Sequence, residues 1–151
     1  MVDGGDNSDL AVANLESVLP PLDRRIDVLL STHPDADHLG GLQQIVERFD
    51  VDVIVECSNF NDDGVVARLE FRDVSVLQTG DATSAAETDL LLTGQPLKST
   101  VLKVGHHGSR TSTTQRFLDT VDPTVAIVTT GIKNQFGHPH EDVIERLESS
   151  L

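Results

Sequence analysis

The feature that most limits what this chain can fold into is the stretch from Ser31 to Gly41, which reads S-T-H-P-D-A-D-H-L-G-G. The apolar run at 26–30 before it is typical of a buried strand, and the apolar positions between 39 and 49 after it have helical spacing. A strand end that leads into a helix is the usual location of a ligand site in α/β proteins. Two histidines and two aspartates follow one another there: His33, Asp35, Asp37 and His38. An alternative is an acidic turn in which Asp37 caps the helix, but a cluster this dense favours a metal site.

Other candidate ligands share the same context, because each follows a predicted strand. Asp81 follows a strand at 74–79, His106 and His107 follow one at 100–105, and His138 lies beyond one at 124–130. If these strands share one core, their ends bring enough ligands together for two metal ions, which lower the pKa of a shared water and stabilise a developing oxyanion. The alternatives are a pair of loop histidines at 106–107 and, for His138, a cap on the next helix.

The remaining pattern predicts one α/β domain over residues 1–151, with no internal repeat and no linker. A helix at 9–19 has Asn7 or Ser8 as its cap, and a strand at 51–56 pairs in parallel with the strand at 26–31. Strands at 65–71 and 74–79 form a hairpin. Glu87 is placed as the capping-box partner of a helix that ends near 92, and Ser112 as the cap of a helix that ends at 121. A last helix covers 140–149.

Composition limits the choice of partners only weakly. The net charge is −14, from 25 acidic and 11 basic residues, and the five aromatic residues are all phenylalanine. This acidic surface is typical of proteins from salt-loving organisms, and in molar salt the screening length falls to ~3 Å, so the charge does not exclude a phosphodiester substrate. The lone Cys57 is expected to be an apolar filler. No signal peptide or membrane segment is evident, which predicts a soluble, cytoplasmic protein.

The ordered motifs at 33–38, 79–81 (T-G-D) and 106–109 (H-H-G-S) resemble the metallo-β-lactamase superfamily. The common motif of that superfamily is H-x-H-x-D-H, and Asp35 stands here in place of its second histidine. The fuller runs H-P-D-A-D-H-L-G-G, L-K-V-G-H-H-G-S and G-H-P-H are more similar to the metallo-hydrolase domain of ComEC-type proteins of DNA uptake. The resemblance implies a four-layer αββα sandwich with the metals at one edge, and it implies that Asp3 braces the site without binding metal.

The resemblance also implies roles for the candidate residues. His33 and Asp35 would hold one metal, Asp37 and His38 the other, Asp81 would bridge them, and His106 would complete the second site, although the motif does not decide between His106 and His107. The catalytic candidates are Asp37, His107 and His138. Ser109 and Ser112 could contact a phosphate, the alternative for Ser112 being ordinary helix capping. Two Mn²⁺ or Zn²⁺ ions are expected, and the oxygen of Asp35 shifts the preference toward Mn²⁺.

Two departures from the superfamily pattern indicate a trimmed domain. No strand pair precedes V-D-G-G at 2–5, and the segment at 57–64 is short. A homodimer would complete the sheet. The expected function is a metal-dependent phosphodiesterase or nuclease that uses a metal-bound hydroxide on DNA or a small phosphodiester. The alternatives are hydrolysis of an ester, thioester or lactone, and a truncated metal-binding module without catalysis.

Overall fold

The computed structural model describes residues 1–32, 35–56, 65–131 and 134–151. Within the chain, two units are distinguished, Met1–Phe60 (the N-terminal unit) and Asn61–Leu151 (the C-terminal unit). Each unit contains a sheet and helices, so the predicted α/β class is confirmed. The layering into an αββα sandwich and the single domain stay predictions, and the shortened segment at 57–64 lies outside the described residues.

The N-terminal unit has a parallel pair of strands with helices packed against it. Its elements, in chain order, are α1 (Ser8–Val18), β1 (Arg25–Ser31), α2 (Ala36–Leu39), α3 (Leu42–Arg48) and β2 (Asp50–Glu56). Strands β1 and β2 pair in parallel, with Ile26 opposite Val51, which confirms the predicted pairing. The core of the unit consists of Ala11, Val12, Ile26, Leu29, Leu42, Ile45 and Phe49.

The start of α1 follows the sequence, whereas the start of the next helix does not. The side chain of Asn7 caps α1 by accepting a hydrogen bond from the Leu10 amide at 3.0 Å. The helix predicted at 38–49 is two helices, α2 and α3, and α2 begins at Ala36 with Asp37 inside its first turn, so the cap role of Asp37 is wrong. A Cβ at Gly41 would lie 2.1 Å from the Gly4 carbonyl oxygen, so only glycine permits this approach of the two chain segments.

The C-terminal unit contains a mixed four-stranded sheet. Its elements, in chain order, are β3 (Ala67–Phe71), β4 (Val74–Gln78), α4 (Ser84–Leu92), β5 (Val101–Lys103), a 3₁₀ turn (Gly105–Gly108), α5 (Gln115–Val121), β6 (Val125–Ile127) and α6 (Glu141–Ser150). The strand order is β3-β4-β5-β6, and β3 and β4 form the predicted hairpin. Because β4, β5 and β6 are parallel, their carboxyl ends lie at one edge of the sheet, as the sequence predicts.

Helices α5 and α6 pack on this sheet through a second core, which contains Leu77, Leu97, Leu102, Val104, Phe117, Leu118, Val121, Val143 and Leu147. The cap of α5 differs from the prediction: the side chain of Thr114 accepts the hydrogen bond from the Phe117 amide, and Ser112 lies two residues outside the cap. Helix α6 lies one residue further along the chain than the predicted helix at 140–149. Within the described ranges, no helix has the length and apolar character needed to cross a membrane.

Candidate metal centre

In the N-terminal unit, Asp3 braces a buried histidine. The two carboxylate oxygens of Asp3 accept hydrogen bonds from the Thr32 amide at 2.8 Å and from the Thr32 hydroxyl at 2.5 Å. The Nδ1 atom of His38 lies 2.9 Å from the same carboxylate. Thr32 and His38 are both buried. This arrangement agrees with the bracing role that the resemblance implies for Asp3.

Backbone contacts fix Asp3 in this position. Val2 forms a parallel bridge with Leu30, and the amide of Asp3 donates to the Leu30 carbonyl at 2.9 Å. The amide of Gly4 then donates to the His38 carbonyl at 2.7 Å. The segment at 2–4 therefore ties the end of β1 to α2, and the carboxylate of Asp3 is held between them.

The contact with Asp3 determines which nitrogen of His38 can bind a metal. A carboxylate accepts a hydrogen bond, so Nδ1 carries the proton and Nε2 is the nitrogen whose lone pair would bind a metal. The Nε2 atom lies 3.9 Å from a carboxylate oxygen of Asp37, which is longer than a hydrogen bond. An imidazole held by a carboxylate through one nitrogen and presenting the other is the arrangement that metal-ligating histidines adopt.

The charge state of Asp3 follows from the same contacts. Burial by itself would raise the pKa of the Asp3 carboxyl, but the hydrogen bonds from His38 and Thr32 outweigh burial and lower the pKa below its usual value. Asp3 is therefore ionised at neutral pH. Of the other predicted ligands in this unit, Asp35 and Asp37 are exposed, and His33 lies outside the described residues.

In the C-terminal unit, a backbone carbonyl takes the place that a carboxylate has beside His38. The Nδ1 atom of His107 lies 2.8 Å from the Thr129 carbonyl oxygen and must carry the proton, because a carbonyl only accepts. The Nε2 atom of His107 lies 3.7 Å from a carboxylate oxygen of Asp81, again beyond hydrogen-bond length. Asp81 is buried. Between the two neighbouring histidines, this geometry favours His107 as the ligand.

The turn that carries both histidines has an unusual backbone. His106 and His107 have φ values of 46° and 53°, in the left-handed region that few residues other than glycine adopt, although histidine enters it more often than most. Each such residue costs about 1–2 kcal/mol. At the adjoining Gly108, a Cβ would lie 2.6 Å from the Cβ of Pro139, so the turn packs tightly against the loop that follows β6. Strained backbone of this kind is concentrated at functional sites.

His138 lies among other rings in that loop. Its ring centroid is 5.7 Å from that of His106 and 4.9 Å from that of His140. Burial, followed by the neighbouring histidines, lowers the pKa of His138 below its usual range. The ring is therefore neutral at neutral pH, which is the form that coordinates metal and has no extra proton to donate.

Behind the turn, the buried carboxylate of Glu87 in α4 holds the start of α5. It accepts hydrogen bonds from the amides of Thr113 and Thr114, the latter at 2.9 Å, and the guanidinium of Arg146 donates to the Thr113 carbonyl at 2.7 Å. The predicted capping-box role of Glu87 is therefore wrong, because its partners lie on another element. Burial raises the pKa of the Glu87 carboxyl, although its hydrogen bonds oppose the shift.

The two serines of this segment have structural partners. The hydroxyl of Ser112 donates to the carbonyls of Gly105 at 2.8 Å and Ser109 at 3.0 Å, and the hydroxyl of Ser109 pairs with that of Thr111 at 3.0 Å. Both serines are buried. Ser112 therefore connects the start of α5 to the histidine turn, and a contact with substrate through its hydroxyl is not part of the function proposed below.

Known proteins are similar to this chain in sequence. Residues 1–56 match the metallo-beta-lactamase superfamily. ComE operon protein 3 of Bacillus subtilis is 35% identical over 88 residues, which cover 58% of this chain and 11% of that protein. Competence protein ComA of Neisseria gonorrhoeae is 31% identical over 159 residues, covering 83% of this chain and 23% of that protein. Recombination protein 2 of Haemophilus influenzae is 31% identical over 176 residues, covering 91% and 22%.

The chain belongs to the metallo-beta-lactamase superfamily. It resembles the ComEC-type members, as the sequence predicts, and it spans less than a quarter of the length of each of these relatives. At the level of the superfamily this supports a metal-dependent hydrolase and divalent metal binding. Two of the alignments run over 159 and 176 residues, more than the 151 of this chain, so these relatives carry residues without a counterpart here.

The donors in each unit suit the metals of a metallo-beta-lactamase superfamily member. Neutral imidazole nitrogens and carboxylate oxygens bind Zn²⁺ and Mn²⁺, and mixed N/O sets accept either ion. His38 and His107 each present Nε2 toward a carboxylate at a distance too long for a hydrogen bond. The residues present therefore fit the ions that the superfamily implies.

Two supporting partners were not evident from the sequence. Thr32 follows the last residue of β1 and binds Asp3 through both its amide and its hydroxyl, but a threonine after a strand carries no distinctive signal. The Thr129 carbonyl that orients His107 is a backbone group, which any residue type could supply. Only the position of both groups at strand ends could have suggested them.

Proposed function

We propose that this chain is a metal-dependent phosphodiesterase. The observation that carries the proposal is common to both units: a histidine whose Nδ1 is held by an oxygen acceptor presents Nε2 to an aspartate. Two histidines prepared in the same way support a hydrolytic metal site.

The proposed ligands are His38 and Asp37 from the N-terminal unit and Asp81 and His107 from the C-terminal unit, with Asp81 as the bridge. His33 and Asp35 complete the set on the strength of the motif alone. When bound, two divalent ions would lower the pKa of a water to about 7 and would stabilise negative charge on the reacting phosphate. We propose two ions, with Mn²⁺ preferred over Zn²⁺ because Asp35 adds a hard oxygen.

The other two histidines receive separate roles. His138, which is neutral at neutral pH, serves as a ligand or accepts a proton. His106, whose ring stands edge-on to that of His138, is the histidine that donates a proton to the leaving oxygen. This assignment departs from the motif-based one, in which His106 is the ligand and His107 faces the substrate.

The choice of a phosphodiester rests on the relatives. Their names refer to competence and to recombination, and recombination breaks and rejoins phosphodiester bonds in DNA. DNA or a nucleotide is therefore the proposed partner. A homodimer and a cytoplasmic location stay predictions.

Metal analysis and a substrate comparison test the proposal. In buffer of molar salt, the purified chain should bind Mn²⁺ or Zn²⁺ and hydrolyse bis(4-nitrophenyl) phosphate, and Asp81→Ala should abolish this activity. Hydrolysis of a thioester or lactone without phosphodiester cleavage would favour the other enzymatic function. Bound metal with neither activity would favour a non-catalytic module. Less than one bound ion per chain would refute the proposal.

A further inference from the structure

Phe136 is a large apolar side chain that the fold leaves in solvent. In a chain with only five aromatic residues, it is 68% exposed, whereas Phe49 and Phe117 are buried in the two cores. Its ring stacks on that of His138, with centroids 5.8 Å apart and planes inclined by 28°. The exposed ring therefore lies beside a residue of the proposed reaction.

Hydrogen bonds hold the loop that carries this ring. The side-chain oxygen of Asn134 accepts from the His138 amide at 2.8 Å, and its side-chain nitrogen donates to the His138 carbonyl at 2.8 Å. One side chain thus closes the turn at 134–138 on both backbone groups of His138. Phe136 lies in the middle of this closed turn, so its place next to His138 is fixed by the loop.

The rings of Phe136, His138 and His106 form a continuous series that ends in the turn after β5. Phe136 contacts His138, and His138 contacts His106, the proposed proton donor. A planar group stacked on Phe136 would therefore lie one residue away from the imidazoles that act on the scissile bond. The distance between neighbouring rings in the series, 5.7–5.8 Å, is that of ordinary aromatic pairs.

A nucleobase is the planar group that accompanies a phosphodiester. Bases stack on exposed aromatic side chains whatever their sequence, and such stacking needs no positive charge. This matters for a chain with a net charge of −14, because binding through phosphates depends on cations and is weakened by salt. An exposed phenylalanine is a means of holding nucleic acid that tolerates both the acidic surface and high salt.

We propose that Phe136, backed by His138, stacks a nucleobase next to the phosphodiester that is cleaved. The inference rests on the proposed function and narrows its substrate class to nucleotides and single-stranded nucleic acid.

The test compares two substrates that share a leaving group. Thymidine 5′-(4-nitrophenyl phosphate) carries a base, and methyl 4-nitrophenyl phosphate does not. Phe136→Ala should lower the ratio of kcat/KM for the first over the second by about 5- to 150-fold, the range that loss of one base stack produces, and Phe136→Trp should retain the ratio. An unchanged ratio, with both substrates still cleaved, would overturn the inference and leave the proposed function intact.

Phe71 provides a matched control. It is 70% exposed and lies at the end of β3 opposite Val74, the first residue of β4, so it sits at the sheet edge away from the carboxyl ends of the parallel strands. Phe71→Ala should leave the ratio as it is in the unsubstituted chain. An equal fall in both alanine variants would contradict a specific stack.

A binding measurement separates failure of the inference from failure of the proposed function. Fluorescence anisotropy in molar salt measures the affinity for a labelled single-stranded oligothymidylate and for an abasic oligomer of equal length. The unsubstituted chain should bind the oligothymidylate more tightly, and Phe136→Ala should remove this difference. If neither substrate is cleaved but this preference is found, the stacking of a nucleobase on Phe136 stands and the proposed hydrolysis fails. If Phe136→Ala slowed hydrolysis of an acyl thioester but changed neither the kcat/KM ratio nor the oligomer affinity, Phe136 would contact an acyl group. That result would overturn the inference.

Discussion

In each unit an oxygen atom holds Nδ1 of a histidine and so orients the ring, but the source of that oxygen differs. In the N-terminal unit a side chain does it: the ionised carboxylate of Asp3 holds Nδ1 of His38. In the C-terminal unit the main chain does it, because the Thr129 carbonyl holds Nδ1 of His107. The carboxylate of Glu87, which is also buried in that unit, instead holds the amides at the start of α5.

This difference between a side-chain and a main-chain acceptor determines which contact a point substitution can remove. A carboxylate that orients a histidine can be removed by one substitution, and an outer partner of this kind also raises the basicity of the ligand. A carbonyl cannot be removed in that way, so the orientation of His107 depends on the fold of two loops. We therefore expect the N-terminal unit to be sensitive to single changes behind the ligand and the C-terminal unit to be sensitive at the ligand and in its backbone.

The largest effect should come from removing either prepared histidine. His38→Ala and His107→Ala should each lower the rate of metal-dependent hydrolysis by more than about 100-fold. This is a larger loss than removal of a residue that only orients a ligand produces. Metal content by mass spectrometry and the rate on bis(4-nitrophenyl) phosphate are the measurements. His106→Ala is the control, since it should lower the rate but keep the metal. Loss of metal in His106→Ala, with metal retained in His107→Ala, would reverse the assignment of the two neighbours.

A smaller effect is expected behind the ligand of the N-terminal unit. Asp3→Asn removes the charge that holds the proton on Nδ1 of His38, so affinity for Mn²⁺ should fall by about 10- to 100-fold. Titration of the metal against a chelating dye measures this. Asp6→Asn removes a nearby exposed carboxylate and should not change the affinity. Equal affinities in the two variants would mean that Asp3 does not act on the ligand.

The smallest effect concerns pH and the buried carboxylate of Glu87. The pKa of Glu87 is raised in the folded chain, whereas in the unfolded chain the pKa of this carboxyl is near 4.5. Between these two pKa values the folded chain binds the carboxyl proton more tightly than the unfolded chain does. Stability should therefore fall as pH rises through this window, by about 1.4 kcal/mol per unit at most. Urea denaturation of the unsubstituted chain and of Glu87→Gln measures it. The difference between them should change with pH above 4.5, and a constant difference would contradict the assignment.

Strands and helices were largely predictable because their signals are local. The parallel pairing of β1 with β2, the hairpin of β3 and β4, and the Asn7 cap all follow from patterns within a few residues. The placement of Asp81 and the histidines at strand ends follows from the same local patterns. The carboxyl-end edge of the C-terminal sheet needed only the further rule that parallel strands end together.

The wrong predictions have distant causes. Glu87 fits a capping box by its local spacing, but its carboxylate finds the amides of Thr113 and Thr114, which lie far along the chain. The helix expected at 38–49 is interrupted because Gly4 reaches the backbone at Gly41. A pattern within a short window carries no information about such partners. The choice between His106 and His107 stays a prediction, and the contact used to make it is with a backbone carbonyl, which any residue type could supply.

The left-handed backbone at His106 and His107 has a consequence for anyone who engineers this protein. Glycine at either position would remove about 1–2 kcal/mol of conformational cost in the folded chain. Part of this gain would be lost because glycine has more conformational freedom in the unfolded chain. Variants ranked by melting temperature would therefore tend to replace the two imidazoles on which the proposed chemistry depends. A stabilisation programme for this chain should keep positions 106 and 107 fixed from the start.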